Sequence, residues 1–137
     1  MAITVLDLRA PSVRIKFDKG KTLNPIFYYL SPDNTVINIS GWTARMQARL
    51  TIDSTSIISG WEFTTENGGL SIVQGTATLL DGSTVVGAYG VKLNISPTLT
   101  TAITWTEAVF DIELIDTTTI VYPFLKGELV PENEVTR

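Results

Sequence analysis

Between Gly41 and Leu50 the chain alternates strictly. Trp42, Ala44, Met46, Ala48 and Leu50 fall on one parity, and Thr43, Arg45, Gln47 and Arg49 on the other. Successive side chains of a β-strand leave opposite faces, so this segment reads as a strand, apolar inward and polar outward. A helix would scatter the same residues around its circumference. The segment sets the class as antiparallel β with one solvated face. The same period recurs. Val13, Ile15 and Phe17 alternate with Arg14, Lys16 and Asp18; Tyr89, Val91, Leu93 and Ile95 alternate with Gly90, Lys92 and Asn94. From Thr106 to Ile115, Ala108, Phe110, Ile112 and Leu114 point inward. Eleven valines, 14 isoleucines and 20 threonines in 137 residues supply the β-branched side chains that suit a pleated, half-buried surface.

Turn chemistry divides the rest. Lys19-Gly20-Lys21, Ser31 to Asn34 and Asp81-Gly82-Ser83 read as turns between strands. Further strands are expected over 24–30, 35–39, 61–65, 70–73, 76–80 and 120–130. Asn67-Gly68, between the strands at 61–65 and 70–73, is the strongest hairpin signal in the chain. Ser96 with Pro97 behind it predicts a short helical turn near 96–102, with Ser96 as N-cap. Pro123 lacks a ladder donor and therefore predicts a sheet edge or a bulge. The expected architecture is an all-β, antiparallel two-sheet sandwich, immunoglobulin-like or jelly-roll-like, with a closed barrel as the competing solution. One domain is expected over 13–130, with an extended N-terminal arm at 1–12 closed by Pro11 and a polar C-terminal tail at 131–137.

The absences bound the chemistry. There is no histidine, which removes every Ser-His-Asp arrangement and the commonest general base near neutral pH. There is no cysteine, which removes disulfides and thiolate metal sites. The net charge is -4 and the lysines and arginines do not cluster, so nucleic acid is not an expected partner. No apolar run approaches the roughly 20 residues of a membrane helix, so no membrane is expected either. The opening residues, Met1 to Pro11, lack the basic region and apolar core of a signal peptide, and folding in a cytosol is expected.

Two groups of side chains remain as candidates. Asp111 and Glu113 share the outward parity of one strand, about 7 Å apart. Paired carboxylates at such spacing serve glycoside hydrolysis or calcium binding, but no further oxygen ligand or calcium-loop spacing accompanies them. Arg45 and Arg49 share the outward parity of another strand. Pairing of either arginine with Asp111 or Glu113 would account for both sets. The second group is aromatic: Tyr28 and Tyr29 occupy opposite faces of one strand, so one of them is expected at the surface. With Trp42, Trp61, Trp105 and Tyr122 they are the residues from which a sugar-binding platform would be built. Trp42 and Phe110 lie on inward parities and are expected in the core. Arg45, Arg49, Asp111, Glu113, Tyr28 and Tyr29 are thus the candidate interface residues.

The order of segments also resembles a known family. Ile37 to Arg49, Phe63 to Leu70, Ala108 to Leu114, Leu125 to Val130 and Glu134 to Arg137 together resemble the N-terminal β-sandwich domain of upper baseplate proteins of tailed phages, which anchors receptor-binding equipment. The resemblance covers about 13–137. Near the first strand the family often carries Gly-Asp-Thr, where this chain reads Lys19-Gly20-Lys21-Thr22. Upper baseplate proteins continue into a helical stalk, whereas this sequence closes at Arg137; an anchoring module without the arm is the expectation.

The resemblance implies no reaction and no cofactor. It implies a non-enzymatic virion protein of the tail or baseplate, or a tail-fibre attachment adaptor, assembled in the bacterial cytoplasm. Its partners would be other virion proteins, in many symmetric copies. A capsid decoration protein and a carbohydrate-binding host-recognition module are the competing expectations.

Overall fold

The computed structural model describes residues 11–133. It contains β1 (Ser12–Asp18), β2 (Ile26–Tyr28), β3 (Thr43–Arg49), β4 (Glu62–Thr64), β5 (Leu70–Thr78), β6 (Thr84–Leu93), α1 (Pro97–Thr101), β7 (Ala108–Ile115) and β8 (Val121–Glu132). One sheet has the order β1-β8-β7-β3-β4 and the other β2-β6-β5. Two sheets, one of five strands and one of three, pack as the expected all-β sandwich.

The core lies between the sheets and is built from the inward parities. Ala44, Met46 and Ala48 of β3 face it, as do Ala108, Phe110, Ile112 and Leu114 of β7, all buried. Val91 and Leu93 of β6 and Leu70 of β5 close it from the other sheet. Trp61 anchors the middle. It is 2 % exposed and meets Trp105 edge-on at 5.2 Å, Phe63 edge-on at 5.6 Å and Phe17 at 6.4 Å. Offset and edge-to-face contacts of this kind add about 0.5–1.5 kcal/mol per pair beyond the area removed from water.

The structure departs from the sequence reading at several points. First, Asn67-Gly68 does not close a hairpin. β4 and β5 belong to different sheets, so the turn is a corner between layers. Asn67 Oδ1 accepts from the N–H groups of Thr64 and Gly69 at 2.9 and 2.8 Å, and Gly68 takes a φ of +80°. A tight turn with positive φ serves a corner as well as a hairpin. Second, β1 runs parallel to β8, the one parallel pair among the described strands. Third, 35–39 forms no strand; Leu30 and Val36 make a single bridge instead. Strands expected separately at 70–73 and 76–80 are one strand, β5, with its register shifted between Gly75 and Ala77. β8 continues past 130 into the expected tail, to Glu132; the arm at 1–10 and the tail at 134–137 lie outside the described residues.

The prolines of β8 show how a central strand tolerates them. Pro123 pairs with β7 only, because β1 reaches no further than Lys126. Pro131 pairs with β1 only, because β7 reaches no further than Leu129. Among the described residues each ring therefore sits where the strand has one neighbour, and its missing N–H breaks no second ladder. The register shift opposite Glu113 leaves Phe124 and Leu125, consecutive residues, both buried. The expected bulge at Pro123 is thus present.

The helical turn forms as predicted. Ser96 accepts from Leu99 N–H and Pro97 opens the helix. Thr100 is fully buried; its hydroxyl donates to Lys21 C=O at 2.8 Å and accepts from Gly20 N–H at 3.1 Å. One hydroxyl therefore ties α1 to the connection between β1 and β2.

Candidate functional site

The outward parities of the five-stranded sheet form one charged face. Register decides who meets whom. Arg45 of β3 stands opposite Glu113 of β7, and Gln47 opposite Asp111. Asp111 stands opposite Lys126 of β8, and Arg14 of β1 opposite Glu128 of β8. Positive and negative side chains thus alternate across the strands, the arrangement that avoids like charges directly opposite each other.

The expected arginine–carboxylate pairing is present. Arg45 Nη2 lies 2.6 Å from Glu113 Oε2, and Arg45 Nε donates to the same oxygen at 2.7 Å. Their side chains are 48 % and 31 % exposed, so water screens the pair and it contributes no more than about 1 kcal/mol. Arg14 lies 3.5 Å from Glu128. Gln47 donates to Glu62 of β4 at 3.0 Å and accepts from Arg49 at 3.1 Å. Arg49 also donates to Ser54 C=O at 3.3 Å. Arg49 therefore does not pair with Asp111 directly; it holds the loop that follows β3 against the face.

Asp111 is the electrostatic exception. Its carboxyl is pushed above the ordinary aspartate value, first by partial loss of water among its neighbours and then by the like charge of Glu113. Arg49 and Arg45 oppose the shift. The cause lies in its position. Asp111 lines an open depression of ≈ 610 Å³ bounded by Arg14, Gln47, Arg49, Ile52, Val109, Lys126 and Glu128. Ile52 is 84 % exposed at its margin, which adds an apolar rim to a polar floor.

The tyrosines separate. Tyr29 turns inward and packs edge-on against Phe124 at 5.4 Å, so the structure corrects its reading as a surface contact. Tyr28 lies on the outer face of the three-stranded sheet, its hydroxyl 2.8 Å from where a Cβ on Gly75 would sit. Trp61 is core. Trp42 is only partly buried, stacked on Tyr122 at 5.2 Å. The aromatics do not assemble into one exposed platform. Arg14, Gln47, Ile52, Lys126 and Glu128 join the charged face without having been singled out. The outward parity of Arg14 and Gln47 is visible in sequence, but the proximity of all five follows from the strand order and, for Ile52, from the loop after β3.

Among the described residues no group of three or more carboxylates is placed to hold a metal ion, and no helix is long and apolar enough to cross a membrane. No protein-family model matches this chain, and no curated protein matches it.

Proposed function

We propose that this chain is a non-enzymatic structural subunit of a tailed-phage virion, in the tail or baseplate or at a fibre attachment point, which acts by protein–protein contact. The observation that carries this reading is a convergence. The segments that resemble upper baseplate proteins contain β3, nearly all of β7 and half of the last strand, β8, and these strands are adjacent in a single sheet. Their outward residues make the charged face, with Arg45–Glu113 and the depression around Asp111. A partner that docks there meets charges already aligned by backbone register, which favours specificity over raw affinity.

The test is position in the particle. Phage particles are dissociated into heads and tails, and the protein is located with an antibody. Recovery with tails or baseplates is the expected result. Recovery with heads would replace the reading by capsid decoration, and absence from both fractions would end it.

A further inference from the structure

We propose that two copies of this chain associate through the free edge of β5, by antiparallel pairing centred on Ile72. This deepens the assembly reading above by naming a contact, and it rests on that reading only for its biological setting.

A sheet edge exposes unpaired backbone groups, and stable monomers blunt such edges with charge, proline, brevity or a bulge. Among the described strands the sandwich has four edges; three are blunted along their length, and the fourth, β5, only at its far end. β1 carries Arg14, Lys16 and Asp18. β2 and β4 have three residues each, β2 behind Pro25 and β4 with Glu62. β5 has nine residues, no charge and no proline. Its bulge between Gly75 and Ala77 leaves the regular part at Leu70 to Gln74.

The hydrogen-bond phase is fixed. Asn94 N–H donates to Gly69 C=O, so Gly69, Ser71 and Val73 bond toward β6. Leu70, Ile72 and Gln74 therefore turn their N–H and C=O groups to the open side. Among the described residues no backbone bond from another segment takes them. An open depression of ≈ 330 Å³ between Trp42, Thr65, Leu70 and Ile72 borders this stretch.

Charge selects a second copy as the occupant. A two-fold axis lays an edge antiparallel on itself, so the same patch must complement its own copy. β1 would have to match Arg14, Lys16 and Asp18 to themselves. β5 pairs with itself without any charge conflict. With the axis at Ile72, Leu70 faces Gln74 of the other copy and Ser71 faces Val73. The two three-stranded sheets then join into one of six strands.

Sedimentation velocity over a concentration series tests this, with circular dichroism as a check of folding. Wild type is expected to dimerise. Gln74→Pro removes an outward donor while leaving the β6 ladder intact, and should abolish the dimer. Ser71→Lys with Val73→Lys sets like charges opposite each other twice and should weaken it roughly tenfold or more. Ser71→Lys with Val73→Glu sets opposite charges there and should preserve it. A wild-type monomer at every concentration overturns the inference. So does a dimer indifferent to both Gln74→Pro and the double lysine variant. A monomer that is nevertheless recovered in tails sinks this inference alone; a β5 dimer absent from particles sinks only the virion reading.

Discussion

Gly127 is the residue on which the edge of the larger sheet turns. A Cβ there would sit 1.7 Å from the carbonyl oxygen of Val13, so β1 approaches β8 closer than any side chain permits. Gly127→Ala is expected to cost roughly 3 kcal/mol and to act by displacing β1, which denaturant titration will show. Asp111 carries the opposite lesson. Its folded-state pKa is raised, so the native state binds its proton more tightly than the unfolded chain does. The ionised carboxylate therefore disfavours folding above the raised value, and the penalty vanishes below the ordinary carboxylate value. Asp111→Asn is expected to raise the melting temperature near neutral pH, and that gain should fade as pH falls through the window between the two values. Thermal melts across the acid range, wild type against variant, decide it. Asp33, Asp81 and Asp116 shift the other way, because hydroxyl donors from Ser31, Ser83 and Thr118 hold their carboxylates ionised.

At the scale of elements, the core strands fold around one indole. Trp61 precedes β4 and contacts residues from β1, β4 and the loop before β7. Trp61→Ala is expected to cost about 3–5 kcal/mol, measured by chemical denaturation. What was legible in sequence follows from which signals are local. Alternation in β3 and β7 is local, and it placed Met46 and Phe110 inside and Arg45 and Glu113 outside; it failed at Leu50, expected inward but 54 % exposed, because β3 ends at Arg49. Ser96 and Pro97 are local, and α1 begins where they set it. The partner of a strand is not local. Asn67-Gly68 specifies a tight turn but not whether the chain stays in its sheet or leaves it. Likewise the parity of Tyr28 and Tyr29 was plain, but which of them faces the core depends on the position of β8, which brings Phe124 to Tyr29.

The whole molecule presents a charged sheet face whose pairs are too exposed to matter much for stability. A double-mutant cycle on Arg45 and Glu113 is expected to give a coupling below about 1 kcal/mol, shrinking further in high salt. Because the pair is exposed, Arg45→Ala should change the melting temperature little while lowering incorporation into particles. The geometry of the first and last strands has a mechanical corollary. β1 and β8 run side by side in the same direction, joined from Ser12 opposite Lys126 to Asp18 opposite Glu132. Tension that draws the start of β1 away from the end of β8 loads that whole ladder in shear, so its bonds share the force and yield together rather than unzipping in sequence. A subunit held at both ends would resist stretching most along the line of those strands.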